Sequence, residues 1–212
     1  MSAKSRSAGL SLIEVVIFIA VLSVGFAAML ILYNQVTRSS VDPLVRKQSL
    51  AVAQSLLEEI ELMPYTYCDP DDANVTTATS AAVGAGGCAT TAETLGPEAG
   101  ESRFSNTQRF DNVSDYFGFC MGPGVPACTD PVIGSLGVIT TAAGAQVPQL
   151  ADYRVDVALA RVDAALAPAG GPNTAGAALT EGLKITVTAT HVPTGTTVSL
   201  EGYRLRYAPT SP

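Results

Sequence analysis

A single acid stands where charges are rare. From Leu10 to Leu32 the chain reads LSLIEVVIFIAVLSVGFAAMLIL, and Glu14 is the one ionisable side chain in it. A carboxylate in the middle of a membrane-inserted helix costs about 2.5–3.5 kcal/mol, so this one calls for a cationic partner. Other residues with chemical potential are few. Cys68, Cys88, Cys120 and Cys128 form no CxxC pair and suit disulfides in an oxidising compartment. Asp69, Asp71 and Asp72 lie in D-P-D-D-A-N, a weak calcium candidate: the glycine and distal glutamate of an EF-hand loop are missing, and a solvated acidic loop is the expectation. His191 is the one histidine, placed at a strand end beside a turn, and no nucleophile has a base to activate it. Gly84 to Gly87 is glycine-rich, but no Lys-Ser/Thr follows to make a phosphate loop. An active site, a cofactor and a resident metal are therefore not expected.

The elements that must position Glu14 follow from the pattern around it. Twenty-three residues at about 1.5 Å each extend roughly 34 Å, enough to cross the hydrocarbon core of a bilayer. Lys4 and Arg6 precede the run with no acid among them, which places the N-terminus in the cytoplasm and the remainder outside. A cleaved secretory signal with a small-residue site at Ser23-Val24-Gly25, or a plain anchor, also fits the hydropathy. Neither has a use for an acid in its core.

Composition narrows the classes further. The 212 residues have a mean hydropathy of +0.29 and a formal charge of -7, from 12 basic and 19 acidic side chains. Such a balance speaks against nucleic-acid binding, which uses a basic stripe. Loss of Lys4 and Arg6 would leave 10 basic against 19 acidic groups.

The string G-L-S-L-I-E-V, from Gly9 to Val15 behind a short basic leader, resembles the class III signal of type IV prepilins and pseudopilins. Leu10 stands where that family usually has phenylalanine. The resemblance implies cleavage between Gly9 and Leu10 by a membrane prepilin peptidase on the cytoplasmic face, with N-methylation of the new Leu10 amine. Three further stretches are similar to MshD-type minor prepilins of the mannose-sensitive haemagglutinin pilus: D-P-L-V-R-K-Q-S-L-A-V-A-Q-S-L-L-E-E-I from Asp42, R-F-D-N-V-S-D-Y from Arg109, and G-Y-R-L-R-Y from Gly202. After such a cut, Glu14 lies near the positive end of the helix macrodipole. In a packed bundle it can neutralise the terminal amine of a neighbouring subunit, and the pair then sets the axial register of assembly.

The expected organisation is a leader (1–9), a membrane and assembly half-helix (10–33), an amphipathic half-helix (34–64) and an extracytoplasmic head (65–212). Asp42 and Pro43 match an N-cap and first helical position, which predicts a break or kink there. Leu50, Ala53, Leu57 and Ile60, widened by Leu56 and Met63, predict the buried stripe, and Pro64 the end. Residues 68–100 and 121–149 read as loops, and Phe104, Phe110, Tyr116, Phe117 and Phe119 as a packing group. YRVDVALARV, LKITVTATHV and TTVSLEGYRLRY alternate with period two, with Gly202 expected as a bulge that corrects the phase of the last. The fold class is α+β: a long N-terminal helix on a C-terminal antiparallel sheet, as in pilin heads. Four cysteines allow three pairings, and proximity in sequence favours Cys68–Cys88 with Cys120–Cys128.

The function this implies is that of a minor type IV pilin of MSHA-like kind, acting in pilus assembly or initiation. It would sit in the inner membrane as a single-pass protein and then pass to the pilus. Its partners would be other major and minor pilin subunits, the prepilin peptidase, the inner-membrane assembly platform and the membrane itself. A minor pseudopilin of a type II secretion system and a tip adhesin or DNA-uptake pilin are the alternatives, the last disfavoured by the acidic charge.

Overall fold

Ser11 opens a helix: the Glu14 and Val15 amides donate to its carbonyl at 3.0 and 3.2 Å. The computed structural model describes residues 11–163 and 165–206, with the backbone alone over 35–42, and there this helix, α1, runs Leu12–Glu61. Its Leu12–Asn34 part is 23 residues long and apolar enough to span a membrane, with none of its residues buried. Ser23 Oγ donates to the Ile19 carbonyl at 2.6 Å, so this hydroxyl is satisfied within the helix. Asp42 and Pro43 both lie inside the helical run, so the helix is not broken at this point. Proline there costs the helix one amide donor and the backbone stays helical around it. Helical structure ends at Glu61, ahead of Pro64.

The chain divides into two compact units, Met1–Leu44 and Val45–Pro212. In the second, Val45, Ser49, Ala53, Leu56 and Ile60 recur at four- and three-residue steps and are all buried, the stripe of an amphipathic helix. Leu50 is exposed instead. The stripe's centre is one residue earlier than the leucines indicate, because the small side chains of Ser49 and Ala53 occupy the line of closest packing.

That stripe shares one core with a four-stranded antiparallel sheet of order β1-β4-β5-β6. The strands are β1 (Cys120–Met121), β4 (Tyr153–Val162), β5 (Gly182–His191) and β6 (Thr196–Leu205). A separate two-stranded ribbon joins β2 (Thr129–Asp130) to β3 (Gly134–Ser135). In β4 and β5 the period-two pattern sets the register: Val155 faces Ala189, Val157 faces Val187 and Leu159 faces Ile185, and all six are buried. The outer face carries Thr186, Thr188 and Thr190 and the Lys184–Glu201 ion pair at 2.6 Å.

No bulge occurs at Gly202. The β5–β6 register runs unbroken through Thr186↔Glu201, Ile185↔Gly202 and Lys184↔Tyr203. Gly202 is buried on the core face, where a Cβ would collide with Glu61 Oε1 and lie 3.1 Å from Leu57 Cδ1. The glycine removes a side chain where α1 crosses β6, and Tyr203 and Leu205 stay on the exposed face.

Two disulfides brace the loops: Cys68–Cys88 with Cα atoms 5.4 Å apart, and Cys120–Cys128 with 5.5 Å. Each limits the unfolded chain by roughly 2–4 kcal/mol. The first centres a small satellite core with Val75 and Ala78, inside the stretch expected to be loop alone. Phe110, Tyr116 and Phe119 pack edge to face with centroids 5.1–5.9 Å apart.

Gly202→Val should destabilise the protein by about 1–3 kcal/mol through overpacking, and Tyr203→Thr should stay within about 0.5 kcal/mol of wild type. Urea unfolding of the two variants measures both.

Candidate functional site

Gly9 and Leu10 lie outside the described residues. Glu14 sits in the first turn of α1, exposed between Ile13 and Val15, whose side chains are also exposed. Its charge is placed where the helix amides favour it, and its flanks are hydrocarbon.

In the head, the D-P-D-D-A-N segment splits into two uses. Asp72 is buried and accepts hydrogen bonds from the amides of Thr91, Ala89, Asn74 and Thr90 at 2.7–2.9 Å, and from Thr90 Oγ1 at 3.0 Å. These amides hold its carboxyl well below the usual range. Asp72 is thus a loop organiser rather than a calcium ligand, since its oxygens are already committed.

Asp69 and Asp71 instead join a larger group of carboxylates. The Glu93 amide donates to the Tyr67 carbonyl at 3.0 Å and Asp69 N to Thr91 O at 3.4 Å, so two antiparallel segments carry Asp69 and Glu93 side by side. The short 3-10 helix Val113–Tyr116 supplies Asp115 through a capping box. Asp115 Oδ2 accepts from the amides of Asn112 at 2.8 Å and Asp111 at 3.0 Å. Ser114 Oγ and Glu93 Oε1 are hydrogen-bonded at 2.8 Å, which brings the two acids together. A turn closed by Glu98 N–H to Glu101 Oε2 at 3.1 Å adds two more.

Three overlapping triads result, in each of which carboxylate oxygens lie within 4.8 Å of one another: Asp69, Asp71 and Asp111; Asp69, Glu98 and Glu101; Glu93, Glu98 and Asp115. Together they make a strip that leads from exposed Asp71, through half-buried Asp69, Asp111 and Glu98, to Glu93 and Asp115, which are 2% and 1% exposed. At the inner end, Glu93 Oε2 and Asp115 Oδ1 are buried with no hydrogen-bond partner. The ion pairs Arg103–Glu59, Arg154–Asp156 and Lys184–Glu201 draw on other carboxylates. Burial pushes Glu93, Glu98, Glu101 and Asp115 upward, and the Asp115 charge pushes Glu93 further. Burial, then the charges of Glu101 and Asp69, take Asp111 up to about 7. Of the D-P-D-D-A-N acids, Asp71 is exposed as a solvated loop predicts, while Asp69 is half-buried and Asp72 buried.

Glu93, Glu98, Glu101, Asp111 and Asp115 were not singled out by motif. A compositional signal exists: eight of the 19 acidic residues fall between Asp69 and Asp115, where the basic residues are Arg103 and Arg109.

Elsewhere in the head, Arg103 grips Glu59 with two bonds of 2.6 Å and the Thr140 carbonyl with one of 3.0 Å, and Tyr116 Oη donates to Glu59 at 2.8 Å. Burial alone would raise the Glu59 carboxyl; the Arg103 bonds and charge outweigh it and hold it low. A cavity of about 440 Å³ lies beside this pair, lined by Ala51, Val52, Leu56, Ile139 and Leu150 among others, with no histidine or cysteine in its wall. Ser55, Thr140 and Thr141 also line it, and Glu59, the carboxylate in its wall, is engaged by Arg103 and Tyr116. His191 packs against Tyr153 with ring centroids 4.8 Å apart and planes tilted by 52°, and its Nδ1 lies 2.8 Å from Thr194 Oγ1.

Comparison of the chain with protein-family models, with curated proteins and with solved structures finds no match.

The Asp72 cage has a pH signature. A depressed folded-state pKa stabilises the protein above the unfolded value, here 3.8, and that contribution disappears as pH falls below it. Asp72→Asn should therefore be less stable than wild type at pH 7, with the gap closing below about pH 3.8. Amide hydrogen exchange at Ala89, Thr90 and Thr91 should quicken in the variant at neutral pH.

Proposed function

We propose that this chain is a membrane-anchored subunit of a type IV pilin-like filament, a minor pilin that is held in the inner membrane by α1 and enters or primes the fibre through packing of that helix. The observation that carries the reading is Glu14: one carboxylate in a wholly exposed apolar helical segment, Leu12–Asn34. A monomer in lipid has no counter-charge for it along that segment. A neighbouring copy processed at Leu10 brings one, its terminal amine, to the same depth. Leaving either charge alone in an apolar bundle costs several kcal/mol, so the pair selects one axial offset between subunits. The Gly9 to Val15 string, the α+β arrangement with a helix stripe against an antiparallel sheet, and two disulfides in the head are all consistent with this role.

Mass analysis of the membrane-extracted protein should give a mature chain that begins at Leu10 with a methylated amine. Glu14→Val should be processed normally and yet fall at least about tenfold in filament incorporation, the loss expected when several kcal/mol of pairing are removed. A mature chain with another first residue, or Glu14→Val incorporated at the wild-type level, would refute the assignment.

A further inference from the structure

The inner end of the carboxylate strip has the makings of a cation site. Glu93 and Glu98 come from one loop segment and Asp115 from the 3-10 helix at Val113–Tyr116, yet each places a carboxylate oxygen within 4.8 Å of the other two. Glu93 and Asp115 have one oxygen anchored, by Ser114 Oγ and by the amides of Asn112 and Asp111 respectively. Their other oxygens, Glu93 Oε2 and Asp115 Oδ1, are buried and unpartnered. Each carboxylate is thus held in orientation by one oxygen and has a bare acceptor on the other. Buried acceptors are almost always satisfied in folded proteins, and an exception points to a missing ion or water. With three acids converging, a water molecule would leave the repulsion of their charged forms in place; a cation removes it, as a shared proton would, and the two are told apart by the titration below.

We propose that Glu93, Glu98 and Asp115 hold a calcium ion, with Glu101 and the outer acids Asp69, Asp71 and Asp111 forming the path by which it enters. Donor chemistry selects the metal. Every ligand is a carboxylate oxygen and no histidine or cysteine is present, which excludes the soft and borderline metals as preferred occupants. Calcium accepts about 6–8 oxygens in flexible geometry at roughly 2.3–2.6 Å, whereas magnesium demands a tight octahedron and keeps several waters. Ligands drawn from a loop and a 3-10 helix, spread over up to 4.8 Å, suit the larger ion. Binding would lock the 93–101 segment onto the 3-10 helix at Val113–Tyr116 and so join the Cys68–Cys88 loop to the aromatic part of the core.

The test uses the full-length chain in nonionic detergent micelles, stripped with chelator and then titrated with terbium as a luminescent calcium substitute. The chain has no tryptophan, so sensitisation must come from tyrosine, and Tyr116 adjoins Asp115. One terbium per chain should bind saturably, be displaced by calcium, and resist an equal concentration of magnesium. Calcium at about 1 mM, the upper affinity range for extracellular sites, should raise the thermal midpoint by roughly 5 °C. Glu93→Gln retains the bond to Ser114 while removing a charge. It should weaken calcium binding at least about tenfold and leave the metal-free chain no less heat-stable than metal-free wild type. Should that variant fail to fold, half-buried Glu98→Gln serves the same purpose. The proposal is overturned if wild type neither binds terbium saturably nor shifts its midpoint in about 10 mM calcium, well beyond that affinity range; shared protons would then satisfy the inner carboxylates. It is also overturned if both glutamate variants bind as wild type does and Asp71→Asn does not, since the ion would then sit at the outer acids.

Discussion

A carboxylate taken out of water is stable only against a positive partner or a proton, and that constraint bears on two parts of this chain. Glu14 stands in a helical segment whose every other side chain between Leu10 and Leu32 is uncharged. In the head, Glu93 and Asp115 are almost wholly buried beside each other and beside Glu98. The cost of leaving such charges alone is several kcal/mol each, comparable with the whole stability of many domains. On the two proposals above, the partner is a neighbouring subunit's amine in one case and a divalent cation in the other. Both readings turn one electrostatic constraint into an assembly requirement, at the membrane and in the head respectively.

Two acids show the same constraint met internally. Glu59 is paired with Arg103 in a two-bonded fork and with the Tyr116 hydroxyl, so α1 is tied to the loop that carries the aromatic cluster. Asp72 is satisfied by four backbone amides and needs no cation at all. The contrast between Asp72 and Asp69 in one short motif is instructive. Adjacent acids of the same type separate into a structural anchor and a member of a charged cluster, according to which backbone amides turn toward them.

The core is built by close approach of helix and sheet. Gly202 on β6 is small where Leu57 and Glu61 of α1 approach it, and Ala53, Leu56, Ile60, Val157 and Ile185 belong to one buried core. This closeness explains two departures from simple periodicity. Leu50 is displaced to the surface because the contact line runs through smaller neighbours. Tyr203 and Leu205 face solvent because the absent side chain of Gly202 keeps β6 in phase where a bulge would have turned it.

Local patterns sufficed for the features that depend on neighbours in sequence. The Leu12–Asn34 apolar span, the period-two strands from Tyr153, Leu183 and Thr196, and the α+β order of elements could all be read along the chain, since a strand's alternation and a helix's hydropathy are properties of contiguous residues. Tertiary structure alone decided which acids meet. Asp69, Glu93, Glu98 and Asp115 have no common spacing, and their convergence depends on the pairing of residues 67–69 with 91–93 and on the Ser114–Glu93 bond. It likewise decided that Gly202 is a point of contact and not a bulge, because a glycine's role is set by what packs against it. Interactions whose energy comes from charges or surfaces far apart in the chain leave at most a compositional trace in the sequence, and here that trace was the excess of acid between Asp69 and Asp115.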